Sequence, residues 1–127
     1  MPLVPNSIRV VWNENRMVLP LGVRSTSLRK GDTAPALLAY LYAPDGTPAN
    51  LVGATVQLVM REARSRKVQV QAAAVVVDAA EGLVRYTWQA SDTTKASEYE
   101  AWFVVTYPGG LQESFPNVGA HTVRIMP

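Results

Sequence analysis

The 127-residue chain has no cysteine, a single histidine, and charged side chains at only 17% of its positions. Each shortage removes a class of protein. Without thiols there are no disulfide staples, thiolate zinc sites or cysteine nucleophiles, which is compatible with a reducing compartment or with assembly inside a cell. With His121 as the only imidazole, a histidine metal cluster cannot form, and any serine triad would hang on that one residue. A membrane helix needs roughly 20 apolar residues in a row. No run approaches that, and the opening MPLVPNSIRVVW lacks the basic start and small-residue cleavage site of a secretory signal. The reading is a soluble, unprocessed chain with no membrane partner.

What is present suits one folded unit. Hydrophobic residues make up 48% of the chain, with valine, threonine and aromatics spread along it, and the length is enough to remove roughly two-thirds of the unfolded surface from water. The net charge of +2 and a pI near 9.2 point only weakly to any partner.

Beyond residue 22, short alternating runs are separated by Gly, Pro, Asp and Asn clusters, the spacing of a β-sandwich. Strands are predicted at 23–29, 36–42, 54–61, 68–71, 83–88, from Tyr99 to Tyr107, and from 111–115 resuming at 121–125, with a further apolar stretch at 73–77. Pro44-Asp45-Gly46-Thr47-Pro48 and Pro108-Gly109-Gly110 are turns by mechanism, proline setting φ and glycine supplying the positive φ that closes them. Pro116-Asn117-Val118-Gly119 is predicted to be a kink or bulge in the final strand. In Glu62 to Val70 helix propensity competes, but Val68 and Val70 alternating with Gln69 and Gln71 favour a period of two.

The most informative stretch is W-Q-A-S-D-T-T-K-A-S-E-Y-E-A-W-F-V-V-T-Y, from Trp88 to Tyr107. An aromatic strand end meets a polar corner opened by Asp92, and a long alternating strand begins at Tyr99. In immunoglobulin-like sandwiches a tyrosine at this place turns its hydroxyl back to the corner backbone. Two residues on, where antibody domains place a cysteine, stands Ala101, so packing alone must hold the layers. Tyr99, Ala101, Phe103, Val105 and Tyr107 share one face, and Glu100, Trp102, Val104 and Thr106 the other.

The expected fold is therefore all-β: an immunoglobulin-like β-sandwich of about seven to eight strands spanning 23–127. It is preceded by an N-terminal hairpin arm, 1–22. Ile8 to Trp12 and Arg16 to Leu19 flank Asn13-Glu14-Asn15 in that arm. Val10, Trp12, Met17, Leu19 and Leu21 are apolar residues that the sandwich does not need, so they are candidates for packing on a neighbouring subunit.

No convincing catalytic set emerges, and no cofactor or metal site is expected. His121 reads as a strand residue, since neither Ser114 nor Asp92 sits on a strained nucleophile turn. Glu98 and Glu100 point the same way from one strand, and Asp78 with Glu81 sits in a turn, so neither pair can face across a glycosidic bond. Arg61, Arg64, Arg66 and Lys67 against Glu62 leave one hairpin basic. The stripe is too narrow, and too poor in interleaved aromatics, for nucleic acid. Arg64, Arg66 and Lys67 remain candidates for a protein contact. Trp102, outward if Tyr99 is inward, is a candidate interface anchor.

Five motifs in order carry a family likeness: R-K-G-D-T-A-P, P-D-G-T-P-A-N-L-V-G-A-T-V, A-A-E-G-L-V-R-Y-T-W, D-T-T-K-A-S-E-Y-E-A-W-F-V-V-T-Y and E-S-F-P-N. Together they make the region from Leu28 to Ile125 resemble the immunoglobulin-like N-terminal domain of phage baseplate upper proteins. The resemblance implies a non-enzymatic virion structural protein of tail, baseplate, neck or head, assembled in the host cytoplasm as a homo-oligomer docked on other virion proteins. Because the chain stops at Pro127, where such proteins usually continue, a stand-alone adaptor or decoration protein is as fitting as a baseplate arm. A carbohydrate-binding or host-surface recognition module is the alternative, since sandwich loops commonly carry binding sites.

Overall fold

The computed structural model describes residues 5–11 and 25–127, and among them the chain is built from strands with one short 3-10 turn. The strands are β1 (Ser7–Val11), β2 (Ser25–Arg29), β3 (Leu37–Tyr42), β4 (Thr55–Glu62), β5 (Val68–Asp78), β6 (Leu83–Tyr86), β7 (Ser97–Thr106), β8 (Gln112–Phe115) and β9 (His121–Met126). Hydrogen bonds link them in the order β1-β3-β6-β5-β4-β7-β9-β2, with β8 also on β7. The path folds back on itself into two layers. One layer is β1-β3-β6 with the end of β5, and the other is the start of β5 with β4-β7-β9-β2. Antiparallel pairing runs throughout except for β2, which lies parallel to β9. This is the immunoglobulin-like arrangement that the corner motif predicts.

Alternation supplies the interior. Val56, Leu58 and Met60 of β4 and Tyr99, Ala101, Phe103 and Val105 of β7 are buried on one face, where they meet Leu37, Ala39, Leu41, Val84, Phe115, Val123 and Ile125. Trp88, Tyr99, Phe103 and Phe115 are among the largest fully buried side chains, each contributing about 2–3 kcal/mol by leaving water. With no cysteine in the chain, this packing is what joins the layers. A second cluster of Val11, Leu38, Tyr40 and Leu83 lies on the other face of the β1-β3-β6 layer.

Three expectations change. The predicted strand 68–71 and the apolar stretch 73–77 form one 11-residue strand, β5. It pairs with β4 as far as Ala74 and with β6 from Val75, passing from one layer to the other beside the small side chains Ala72, Ala73 and Ala74. The strand predicted at 83–88 ends at Tyr86, because Gln89 opens the 3-10 turn Ala90–Thr93.

The third change concerns the N-terminus. Part of the expected arm belongs to the sandwich, since Ser7–Val11 pairs residue for residue with Tyr42 to Leu38 of β3. Val10 is 5% exposed and packs in the main core, so its interface reading is corrected: it is covered by its own domain. Trp12, Met17, Leu19 and Leu21 lie outside the described residues.

Turn chemistry behaves as expected. Asp45 Oδ1 accepts from the Thr47 amide and hydroxyl, and Gly46 takes φ 87°. Gly82 is required on two counts: its φ is 68°, and a Cβ there would sit 2.5 Å from the Leu41 carbonyl oxygen, against the 2.8 Å bond from Leu41 N to Gly82 O.

Candidate interaction surfaces

The corner between β6 and β7 is shaped by short-range bonds and anchored by longer ones, from the Thr93 hydroxyl to the Asp32 carbonyl at 3.0 Å, from the Gly31 amide to the Thr93 carbonyl at 3.1 Å and from Gln69 Nε2 to the Ser91 carbonyl at 3.2 Å. Asp92 is buried, and its Oδ2 accepts from the Tyr86 hydroxyl at 2.6 Å and the Gln89 amide at 2.8 Å. The Tyr99 hydroxyl donates to the Lys95 carbonyl at 2.8 Å, the bond predicted for this tyrosine. Burial first, and then the Asp92 carboxylate, holds the Tyr86 phenol well above its ordinary range. Beside the corner, Glu62 is held down at about 2 by hydrogen bonds from Ser65, Lys95 and Ser97, with Lys95 Nζ at 2.9 Å. These groups tie loops together.

His121 points inward from the start of β9, where it is 7% exposed and its Nε2 lies 2.8 Å from Thr26 Oγ1 of β2. Burial lowers its pKa to about 4, so the ring is neutral at ordinary pH. It serves as a packed strand residue, as expected. Asp78 Oδ1 accepts from the Glu81 amide at 3.2 Å, the turn role expected for that pair.

The predicted bulge in the last strand is a five-residue excursion, 116–120. β8 pairs with β7 up to Phe103↔Phe115, and β9 resumes at Ala101↔His121, leaving Trp102 opposite the excursion. Asn6, 2% exposed and just ahead of β1, reaches across from the other layer. Its Nδ2 donates to Glu113 Oε2 at 2.9 Å and to the Ser114 carbonyl at 2.8 Å, while its Oδ1 accepts from the Asn117 amide at 2.7 Å. Tyr107 donates to the second oxygen of Glu113 at 2.8 Å. Local sequence reasoning misses Asn6, because a lone asparagine before a strand names no partner. The motif E-S-F-P-N marks only the other half of the latch.

Trp102 is half-buried on the outward face, as its alternation predicts. The Arg61 guanidinium lies over its ring at 5.1 Å from the centroid, with Nε 3.4 Å from Glu100 Oε1. Trp102, Arg61 and Glu100 line a groove of about 320 Å³ with Ser114, Pro116, Asn117, Gly119 and Ala120. Arg64, Arg66 and Lys67 are all exposed on the β4–β5 turn, apart from this groove in sequence but joined to it by Arg66 Nη1, 3.4 Å from Glu100 Oε1. Arg66 has φ 64°, a left-handed conformation that usually belongs to glycine at such a turn. Among the described residues no group of three or more His, Cys, Asp or Glu side chains is placed to hold a metal.

Layer order, corner and broken final strand together define an immunoglobulin-like sandwich whose features lie on edges and turns. The chain belongs to the BppU N-terminal domain family, the phage baseplate upper protein domain, whose profile matches residues 9–116. Among solved structures it is similar to the N-terminal domain of phage TP901-1 ORF48, with a TM-score of 0.59 and 20% identity over 81% of this chain and 85% of that one. CopC from Methylosinus trichosporium OB3b aligns at a TM-score of 0.49 and 10% identity over 83% of this chain and 86% of that one, too slight a likeness to carry an argument. No curated protein matches. Family membership makes this chain a phage virion structural component.

Proposed function

We propose that the domain is a non-enzymatic connector that docks on neighbouring virion proteins, copies of itself included, through its sheet edges and its N-terminal segment. One observation carries this reading: among the described residues the path of paired strands ends at β1 and at β2, one edge in each layer. An edge strand presents unpaired N–H and C=O groups that a partner strand can satisfy, while alternate side chains enter pockets. Repetition in a symmetric particle then makes modest contacts effective. Trp12, Met17, Leu19 and Leu21, which fall between β1 and β2 in the sequence, supply apolar anchors, and Arg64, Arg66 and Lys67 an exposed basic turn for an acidic protein face. Assembly takes place in the host cytoplasm, before the particle is released.

The test spares the fold. Deleting 1–22 would remove Asn6 and β1 along with the anchors, so the informative variant replaces Trp12, Met17, Leu19 and Leu21 by serine. The expected result is a folded domain, by circular dichroism, that is lost from purified particles. Normal incorporation would end the role given to those residues. Reversing Arg64, Arg66 and Lys67 to glutamate is expected to weaken incorporation less, and the wild-type contact to weaken with added salt.

A further inference from the structure

We propose that the groove beside Trp102 is a binding site for a neutral saccharide, a property separate from docking and independent of it. The concavity has a structural cause. Pairing to β7 lapses between Phe103↔Phe115 and Ala101↔His121, and the excursion 116–120 stands away from the strand opposite Trp102. The resulting volume of about 320 Å³ falls within the range of small-molecule sites.

The lining selects the ligand class. Sugars combine apolar C–H faces with hydroxyls that both donate and accept. Trp102, with the Arg61 guanidinium over its ring at 5.1 Å, lines the groove with the aromatic surface left uncovered. Arg61, which only donates, and Glu100, which only accepts, stand 3.4 Å apart and together match adjacent hydroxyls. Ser114 and Asn117 add a hydroxyl and an amide along the same wall. Within the lining the Arg61 cation and the Glu100 carboxylate balance, and the exposed Arg66 from the neighbouring turn is already paired with Glu100 at 3.4 Å, so an anion meets Glu100 and a cation meets Arg61, whereas a neutral polyol meets neither penalty.

The wall is also held in place before any ligand arrives. Asn6 fixes the Asn117 amide at 2.7 Å and the Ser114 carbonyl at 2.8 Å, and Asn6 itself is 2% exposed. A loop ordered in advance adds little conformational cost to binding.

The experiment is an NMR titration of the full chain with glucose, galactose, N-acetylglucosamine and cellobiose at millimolar concentrations, with glucuronic acid as the charged comparison. The chain has three tryptophans, and Trp102→Phe assigns the indole signal that matters. The expected result is a saturable shift of the Trp102 indole and of the Asn117 and Gly119 amides with at least one neutral sugar. Trp102→Ala is expected to weaken binding roughly tenfold or more, and Glu100→Gln, which keeps the shape and removes the charge, severalfold. No saturable shift with any neutral sugar overturns the proposal. So does tighter binding of glucuronic acid, or a response that survives both variants.

Discussion

At the corner between β6 and β7 the bonds that set the turn are local, with Asp92 reached by Tyr86 from six residues away and by Gln89 from three, and Tyr99 reaching Lys95 across four, while Gly31, Asp32 and Gln69 tie the finished turn to the rest of the fold. At the excursion between β8 and β9 they are remote, with Asn6 separated from Glu113, Ser114 and Asn117 by 107, 108 and 111 residues. The local bonds of the corner close short loops at small entropic cost and can form within their own segment, before Gly31, Asp32 and Gln69 dock on it. The latch can form only when both layers are already in register. One region therefore shapes the chain, and the other reports that the fold is complete while holding the groove wall in place.

The comparison breaks most visibly at Asp92. Asp92→Ala leaves the Tyr86 hydroxyl and the Gln89 amide without their acceptor, and about 4 kcal/mol of stability should be lost in urea unfolding. Asp92→Asn, which keeps an acceptor oxygen, should cost distinctly less.

Acid probes the remote side next. His121 titrates near 4 in the fold against 6.5 ordinarily, so the unfolded chain takes up the proton first as pH falls. Its contribution is complete above about pH 6.5, declines as pH drops toward 4 and is gone below, a total of up to about 3 kcal/mol. The slope of stability against pH over this window should shrink in His121→Gln. An unchanged slope would remove His121 from the account.

Asn6→Ala should cost about 2 kcal/mol and, more tellingly, speed amide exchange at Asn117 while the corner amides keep their protection. Uniform loss of protection would show that the two regions unfold as one. Tyr99→Phe should cost about 1 kcal/mol, the worth of a single hydrogen bond to the Lys95 carbonyl. The smallest effect has the opposite sign. Arg66→Gly relieves a positive φ and gives up only an exposed ion pair, so a gain of about 0.5–1 kcal/mol is expected in the same assay.

Legibility followed range. Tyr99, Asp92, the Gly46 turn and the Pro108-Gly109-Gly110 hairpin were readable because each is decided by neighbours a few residues away. The outward place of Trp102 and the inward places of Phe103 and Val105 followed from alternation alone. Val10 was misplaced for the opposite reason: an apolar strand near a terminus looks the same whether it pairs with β3 of its own chain or with another molecule. The split of β5 failed similarly, since the sequence holds no mark of a strand that serves two layers. The groove was half visible, with Trp102 singled out and a bulge expected at Pro116, but nothing local set one opposite the other.

Composition and pattern by themselves determined a cysteine-free, period-two chain with its turns and its tyrosine corner, because those depend on backbone preference and on side chains close in sequence. Only the tertiary structure decided that Ser7–Val11 completes the sandwich, that Asn6 fastens the last strand, and that Trp102 faces a gap in the ladder. Those outcomes depend on which distant strands share a layer, and hydrogen bonding between strands is blind to the distance along the chain that separates them.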